Sequence, residues 1–264
     1  MTNQGTWDAD LYAANSAHHR GTDDLIVADL EPAGDARVVD VGCGHGDLTA
    51  RLATLVPAGE VIGLDASAEM VGVAAARHRA ANLRFERCAA QQVGAEFEPG
   101  SVDAIVSVAC LHWVPGAEHP AMLSGFAAVL RPGGAFRVDF GGYGQIAAPR
   151  VILDEESEAV GGPTDPWYFP RPEDYRPVLE AAGFTLDDGH VQLRHQRRSF
   201  PDVEAMIGML RSQTYPAYEG GMTPEARATF RHGVEERAPR ELLRHDGTYD
   251  MDFVRMDVFA QRAS

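Results

Sequence analysis

The stretch Val38-Val39-Asp40-Val41-Gly42-Cys43-Gly44-His45-Gly46 decides the fold of this 264-residue chain. It joins a short apolar, β-branched run to three glycines at alternate positions, and a helix-forming segment follows from Asp47. Glycines directly after a strand let the backbone approach a ligand where a Cβ atom would clash. A strand, a glycine turn and a helix in that order predict a ligand site at the carboxyl end of a strand in a parallel sheet.

The spacing of the glycines distinguishes a dinucleotide site from other nucleoside sites. The dinucleotide fingerprint G-x-G-x-x-G/A requires glycine or alanine at position 47, where this chain has Asp47. About 20 residues further on, the run Val61-Ile62-Gly63-Leu64 ends in Asp65, a carboxylate placed to accept hydrogen bonds from ribose hydroxyls. Turn, strand context and carboxylate together predict a nucleoside site. A tight turn followed by a solvated aspartate is the alternative.

The alternation of β-rich runs with helical segments indicates the architecture. It extends from Asp35 to Phe140 and predicts βαβ units with a parallel sheet. Beyond Gly141 the rhythm loosens, and we expect helices over 173–182, 200–210 and 223–243, a strand from 184 to 186 continuing near 190–193, and a last strand, 249–260, at an antiparallel edge. The strands expected before Gly141 are 36–41, 60–64, 82–87, 102–107 and 135–139.

Composition disfavours several classes of partner and site. The 23 basic and 39 acidic residues give a formal net charge of −16, which repels a phosphate backbone, so no nucleic acid is expected. No apolar run has the length of a signal peptide or reaches the roughly 20 residues that span a bilayer, so we expect a cytoplasmic protein without a membrane partner. Cys43, Cys88 and Cys110 form no C-x-x-C pair, so neither a disulfide framework nor a metal site is expected.

These motifs resemble those of class I S-adenosylmethionine-dependent methyltransferases, within the small-molecule group of trans-aconitate methyltransferase-like proteins. The similarity runs through most of the chain. It implies an α/β fold: a Rossmann-like, seven-stranded, mostly parallel sheet with helices on both faces, an antiparallel last strand and a helical lid. The segments that carry it, besides the glycine loop, are 7–12, 63–70, 107–114, 130–134, 139–142, 167–170, Tyr175 and 183–184.

The same resemblance implies how the chain is organised and what it acts on. Residues 1–141 would form an N-terminal cap with the cofactor-binding core. Residues 142–264 would supply the rest of the sheet and an inserted helical substrate lid, and the two parts would make a single compact unit. The implied partner is a small-molecule acceptor, with the protein acting as a monomer or homodimer.

The resemblance assigns S-adenosylmethionine, with S-adenosylhomocysteine as product, to residues on both sides of the glycine loop. The residues expected at the methionine moiety are Asp40, which would orient its amino group, with Gly42, Cys43, Gly44 and Ala109. The residues expected at the nucleoside are Asp65, which would hold the ribose, with Ala66 and Met70 around the adenine.

One segment departs from the family pattern. Members commonly carry an acidic residue after the third strand, which accepts a hydrogen bond from the adenine amino group. Residues 87–92 of this chain read Arg-Cys-Ala-Ala-Gln-Gln and offer no carboxylate. A backbone carbonyl near Ala90 or the side-chain oxygen of Gln91 must therefore accept instead. If neither did so, cofactor affinity would fall by about 1–3 kcal/mol.

Methyl transfer from a sulfonium is an in-line displacement, so proximity and orientation supply much of the catalysis. A carboxylate acceptor needs no general base, whereas a phenol, an amine or a carbon acid benefits from a positioned histidine or glutamate. His112, after the fourth strand, is the candidate catalytic base; its neighbour Trp113 indicates packing or substrate orientation as the alternative.

Several further side chains are candidates for contact with the acceptor. For the aromatic ones beyond Gly141, packing within the lid is an equally economical interpretation, and for the histidine a surface or capping role is the alternative. The candidate substrate-binding residues are Tyr12, His18, Trp113, Tyr143, Trp167 and Tyr168.

Two other functions stay open from the sequence alone. A protein with this cofactor site can instead catalyse a rearrangement, an elimination or a cyclisation, or simply bind its ligand, because fold does not fix function. Methylation of a protein or an RNA is disfavoured by the acidic charge. An intact glycine loop with Asp65 favours cofactor binding in each of these cases.

Overall fold

A computed structural model describes residues 20–264, which divide into two compact units. The first, here called the sheet unit, contains residues 20–143, 169–194 and 255–264. The second, here called the helical unit, contains residues 144–168 and 195–254. The later strands run from one unit into the other, so the units do not follow the expected boundary between residues 141 and 142. The single compact unit expected from the sequence stays a prediction.

The sheet unit is built on five parallel strands. Their spatial order is β3-β2-β1-β4-β5, so β1 lies between β2 and β4 and the winding direction reverses there. In such sheets a ligand binds in the crevice outside the carboxyl ends of the strands at the reversal. These strands are β1 Arg37–Val41, β2 Glu60–Asp65, β3 Leu83–Arg87, β4 Val102–Val108 and β5 Leu130–Gly141.

Two long strands complete the seven-stranded sheet. The last strand, β7 Tyr249–Arg262, pairs antiparallel with β5, which confirms the antiparallel last strand expected from the sequence. Its expected position at the edge is wrong, because β6 Phe184–Phe200 lies outside it in the order β5-β7-β6. The basic run from Arg194 to Arg198 belongs to β6, and Arg194 donates a hydrogen bond to Asp139 at 2.5 Å.

Helices cover both faces of the sheet. Adjacent residues of a strand point to opposite faces, and on β5 the Arg137 guanidinium donates to Asp29 of the first helix at 2.9 Å while the Phe136 ring lies 5.9 Å from Phe126 of the fifth. The helices are α1 Arg20–Leu30, α2 Asp47–Leu55, α3 Ala68–Arg77, α4 Val93–Glu96, α5 His119–Val129, α6 Ala147–Ala159, α7 Pro172–Ala181, α8 Val203–Gln213, α9 Tyr215–Glu219 and α10 Pro224–Glu241.

Side-chain caps explain where several helices begin. Ser67 accepts a hydrogen bond from the Met70 amide at 3.3 Å at the start of α3, as its position before an apolar periodic run predicts. The helix expected from residue 200 begins later, because Phe200 still belongs to β6 and Asp202 caps α8 by accepting from the Ala205 amide at 2.8 Å.

The helical unit contains α6, α8, α9 and α10. Its interior is aromatic: the Tyr218 ring stacks on Phe230 with centroids 5.6 Å apart, and Trp167 meets Tyr218 edge-on at 5.4 Å. Arg237 of α10 binds Glu156 of α6 at 2.8 Å, which joins the two helices at their surface. Of the helices within residues 20–264, not one has the length and apolar character that a membrane crossing requires.

Candidate functional site

The glycine loop between β1 and α2 has an unusual backbone. Gly42, Gly44 and Gly46 have φ angles of +74°, +54° and +83°, a region that side chains disfavour. A Cβ atom at Gly42 would collide with the Cys110 sulfur, and one at Gly46 would lie 2.7 Å from the Phe85 ring. Among the described residues, no atom lies within 4 Å of where a Cβ atom at Gly44 would be. The outer glycines therefore pack the loop against the protein, while Gly44 borders open space.

Asp65, at the carboxyl end of β2, is locked against this loop. Its Oδ2 accepts from the Gly44 amide at 3.0 Å and its Oδ1 accepts from the Ser67 amide at 2.8 Å. Burial raises the pKa of this carboxyl, and the two amide bonds oppose that rise. A carboxylate has about four lone-pair positions. Asp65 is thus held in one orientation with acceptor capacity left for hydroxyl groups of a ligand.

The amides of the loop point inward. Gly42 and Cys43 both donate to the Leu64 carbonyl, at 2.7 and 2.9 Å, and Gly46 donates to the Cys43 carbonyl at 2.9 Å. With the Gly44 amide bound to Asp65, these four N–H groups are used within the protein. A phosphate-binding loop presents its N–H groups to the ligand. This loop instead suits a ligand that donates hydrogen bonds, such as an ammonium group.

Asp40 lies beneath the loop at 2 % exposure, and its Oδ2 accepts from the Thr49 hydroxyl at 2.7 Å. Burial raises its pKa to about 7, although the Thr49 bond opposes the rise. An approaching cation favours the charged form of a carboxyl. Asp40 is therefore poised to become an anion when a positively charged ligand binds close by.

Gln91, in the segment that lacks a carboxylate, has a fixed side-chain amide. Its Nε2 donates to Oε2 of Glu118 at 2.8 Å, which leaves its Oε1 as the acceptor. Glu118 lies 27 residues further along the chain, in the turn before α5, and nothing in the sequence pattern linked the two. Of the other residues expected at the nucleoside, Met70 and Ala90 are buried and Ala66 is half-buried.

Ala109 follows β4 with a φ of +56°, the left-handed region that is unfavourable for a residue with a Cβ atom. Its amide donates to the Asp139 carbonyl at 2.7 Å, which secures the conformation. Backbone strain of this kind costs about 1–3 kcal/mol and is concentrated at functional sites. The strained turn directs the chain from β4 into the short helical turn Leu111–Trp113.

His112, in that turn, has a defined protonation state. The Gly141 amide donates to its Nδ1 at 3.3 Å, so in the neutral ring the proton resides on Nε2. Burial, with Arg255 as a smaller cause, lowers the pKa of His112 well below 6.5. In this tautomer Nε2 donates a hydrogen bond, and the lone pair of Nδ1, with which the neutral ring would accept a proton, is engaged by the Gly141 amide. The geometry favours the orienting role over the catalytic base.

A second histidine holds this turn in place. His119 Nε2 lies 3.1 Å from the Leu111 carbonyl, which can only accept, and Nδ1 lies 3.0 Å from the Tyr175 hydroxyl, which therefore donates. Burial lowers the pKa of His119 to about 4, although bonds to the Leu111 and Val114 carbonyls oppose that shift. Sequence reasoning missed this pair, because Tyr175 is 56 residues from His119 and no spacing relates them.

The candidate substrate residues of the sheet unit differ in their surroundings. Trp113 is half-buried, with its ring centroid 5.6 Å from that of His112. Tyr143 is 50 % exposed, and the Arg171 guanidinium carbon lies 3.3 Å from its ring centroid. Phe169, which the sequence did not single out, adds a third ring with its centroid 5.6 Å from that of His112. The structure thus brings Trp113 to His112 and leaves Tyr143 at the surface of its unit.

The remaining candidates divide between the helical unit and the undescribed terminus. Trp167 is 7 % exposed against Tyr218, which favours the lid-core interpretation for it, and Tyr168 is half-buried. Tyr12 and His18 lie outside the described residues. Their assignment to the substrate stays a prediction.

Comparison with known sequences adds a family and a relative. A family model described as a methyltransferase domain matches residues 38–134, from β1 into β5. The trans-aconitate 2-methyltransferase of Deinococcus radiodurans is 36 % identical over 192 residues, which are 70 % of this chain and 69 % of that protein. The matched segment contains the glycine loop, Asp65 and His112.

Solved structures with the same fold are numerous. The YcgJ protein of Bacillus subtilis aligns with a TM-score of 0.64 at 18 % identity, over 93 % of this chain and all of that one. The 4+2 cyclase SpnF aligns with a TM-score of 0.58, also at 18 % identity, over 98 % of this chain and 86 % of its own. Matches at this identity establish the fold alone.

Proposed function

Because the chain belongs to the class I S-adenosylmethionine-dependent methyltransferases that act on small molecules, we propose that its acceptor is a small carboxylic acid, methylated on a carboxylate oxygen. One observation carries this proposal: His112 is neutral, with its Nδ1 engaged by Gly141 and its proton on Nε2. A carboxylate is already an anion at neutral pH and needs no base. The relative from Deinococcus radiodurans is named for such an acid, trans-aconitate.

The cofactor, S-adenosylmethionine, supplies a methyl group on a positively charged sulfur when it is bound. We assign Asp65 to the ribose hydroxyls, because its carboxylate is held by two amides and has acceptor capacity left. Carbonyl groups of the loop and the Asp40 carboxylate suit the ammonium group, since the loop amides are used internally. The oxygen of Gln91 is the acceptor assigned to the adenine amino group.

On the acceptor side we assign His112 a positioning contact. Its Nε2–H donates to one oxygen of the carboxylate, which leaves the other oxygen free for the methyl group. The Gly141 amide and the contact of His119 with the Leu111 carbonyl fix the ring for that purpose. Holding reacting groups in a near-attack arrangement is a large source of rate in a displacement of this kind.

We further propose that the protein is cytoplasmic and acts as a monomer or homodimer. We also propose that it has no nucleic-acid partner, because its net charge of −16 repels a phosphate backbone. The helical unit stays the predicted substrate lid. A solution mass measurement tests the oligomeric state.

The proposal is tested by incubating the protein with S-adenosylmethionine and a panel that contains trans-aconitate, other organic acids, phenols and amines. We expect a product heavier by one methyl group from an acid, cleaved by mild alkali because it is an ester. An alkali-stable methylated product, or transfer confined to phenols or amines, would overturn the carboxylate assignment.

The pH dependence of the reaction tests the role of His112. With S-adenosylmethionine at saturation, we expect kcat/KM for the acid to be flat between pH 6 and 8, because the neutral donor persists throughout this range. His112→Gln, which keeps an N–H donor, should lose less than about 10-fold in kcat/KM, and His112→Phe about 100-fold. A rising limb with a midpoint near 6.5 that disappears in His112→Gln would identify a base instead. Binding of S-adenosylmethionine, measured by calorimetry, should match the wild type in both variants.

A further inference from the structure

Arg198 is half-buried, and its guanidinium lies beside two aromatic rings of the helical unit. Its central carbon lies 4.9 Å from the ring centroid of Phe200 and 5.7 Å from that of Phe253, and both phenylalanines are buried. Its Nη1 is buried and has no hydrogen-bond partner among residues 20–264. Burial also lowers the pKa of this guanidinium. Arg198 thus combines a half-buried charge with an unused donor.

The neighbouring arginines of β6 differ from Arg198 in their partners. Arg197 pairs with Asp252 at 3.4 Å on the surface, and Arg194 pairs with Asp139 and Asp257 at 2.5 and 3.1 Å. Carboxylates are abundant in a chain with 39 acidic and 23 basic residues. Within the part of the chain that the structure describes, no carboxylate pairs with Arg198. A partly desolvated charge without a counterion is unfavourable in a protein, and a bound anion would offset that cost.

The chemistry of a guanidinium defines which anion fits. Cation–π contact engages the face of the guanidinium, whereas its N–H donors lie in its plane and stay available. Two donors in one plane match the two oxygens of a carboxylate. Phe200 and Phe253 are buried, and the low local dielectric on their side of the guanidinium strengthens a charge-assisted pairing.

We propose that Arg198 binds a carboxylate group of a small organic acid. Two sources present this group: the acceptor itself, in which case the inference rests on the proposed function, or a second organic acid that binds as an effector. The contact is the same in both cases, and Arg198 is then a determinant of specificity for acids over their neutral esters.

The test uses calorimetry on the whole chain with trans-aconitate, citrate, succinate and the trimethyl ester of trans-aconitate as probes. We expect the wild type to bind at least one of the acids and not the ester. Arg198→Met, which keeps the length of the side chain, should weaken that binding by about 30-fold or more, the loss of a charged hydrogen bond. Arg198→Lys should recover part of it, since a lysine retains the charge without the paired donors.

Arg197→Met is the matched control, because it removes an adjacent arginine whose partner is the exposed Asp252. Its affinity for the acids should stay within about 3-fold of the wild type, a difference below 1 kcal/mol. All three variants should bind S-adenosylmethionine like the wild type, which also verifies that they are folded. Three results would each overturn the inference. Arg198→Met could bind the acids as tightly as the wild type does, the wild type could bind the ester as tightly as the acids, or the wild type could bind none of the acids.

Kinetics separate the two sources of the carboxylate. If it belongs to the acceptor, Arg198→Met raises KM for the methylated acid in step with the loss of binding. If it belongs to an effector, KM for the methylated compound is unchanged while calorimetric binding of the probe acid is lost. Failure of the proposed function has another signature, which is the absence of an alkali-labile product from a wild type that binds both S-adenosylmethionine and the acid.

Discussion

Gly44 and Gly46 occupy one turn under different constraints. Both have left-handed backbones, but within residues 20–264 a Cβ atom at Gly44 would meet no neighbour within 4 Å, whereas one at Gly46 would lie 2.7 Å from the Phe85 ring. Substitution by alanine should therefore affect ligand binding at Gly44 and packing of the protein at Gly46.

We expect Gly44→Ala to lose about 1–2 kcal/mol of unfolding free energy, the cost of a left-handed alanine, and to lose binding of S-adenosylmethionine because the methyl group enters the ligand's space. Gly46→Ala adds a steric clash to the same backbone cost and should be the less stable variant. Urea unfolding and calorimetry on both proteins check this. Undiminished cofactor binding by a folded Gly44→Ala would contradict the assignment of that space.

Asp40 links ligand binding to stability. The ordinary pKa of an aspartate is 3.8 and burial raises that of Asp40 to about 7, so the folded state holds this proton more tightly than the unfolded state. The contribution of Asp40 to stability is therefore fully present below pH 4 and is lost as the pH rises to 7. Asp40→Asn removes this titration while keeping an oxygen that accepts from Thr49.

Between pH 4 and pH 8 the wild type should lose about 3–4 kcal/mol more unfolding free energy than Asp40→Asn. Urea titrations at the two pH values measure it. The variant should also bind S-adenosylmethionine more weakly, because the anion that faces the ammonium group is gone. A difference that does not change with pH would show that Asp40 is not desolvated in the folded protein.

The turn Leu111–Trp113 depends on two helices outside it. His119 at the start of α5 donates to the Leu111 carbonyl, and Tyr175 of α7 donates to His119. Burial lowers the pKa of His119 to about 4, so the unfolded state binds a proton more readily than the folded state. Its contribution to stability is present above pH 6.5 and is lost as the pH falls to 4.

The wild type should therefore lose about 3 kcal/mol more unfolding free energy than His119→Gln between pH 7 and pH 4. Glutamine has one donor and one acceptor but does not titrate, which makes it the matched control for this histidine. Parallel loss in the two proteins would mean that His119 does not remain neutral in the fold.

Across the sheet unit, buried charges connect β5, β7 and β6. Asp139 and Asp257 face each other in the antiparallel pair and are 0 % and 3 % exposed. Arg255 binds Asp139 at 2.6 Å, Arg194 bridges both aspartates, and Arg137 binds Asp257 at 2.6 Å. Burial alone would raise the pKa of Asp257, yet Arg137, Gln192 and Arg194 hold it below its usual value.

Removing one member of this network should be far costlier than removing a surface pair. Arg255→Met is expected to lose about 3–5 kcal/mol of unfolding free energy, because Asp139 stays buried with one cation fewer. Arg197→Met breaks the exposed pair with Asp252 and should lose less than about 1 kcal/mol. Urea unfolding of both variants measures the difference, and equal losses would contradict a buried network.

Much of the fold and part of the site were predictable from local pattern. Apolar strands of five or six residues, the cap at Ser67 and the glycine turn are signals within a few residues of each other, and the structure has β1, β2 and α3 where they indicated. The full length of β6 was not predictable from the sequence. Charged residues usually indicate a solvent-exposed segment, but those of β6 include Arg194, which pairs with aspartates on other strands.

The order of residues alone determined the βαβ core, the glycine loop and the carboxylate that follows β2, because each depends on neighbours along the chain. Only tertiary structure decided the tautomer of His112, the pairing of Gln91 with Glu118 and the contact of Arg198 with two phenylalanine rings. A protonation state or a missing counterion is set by whatever long-range packing brings within a few ångströms. Such neighbours are dozens of residues away in sequence, where periodicity and spacing carry no information about them.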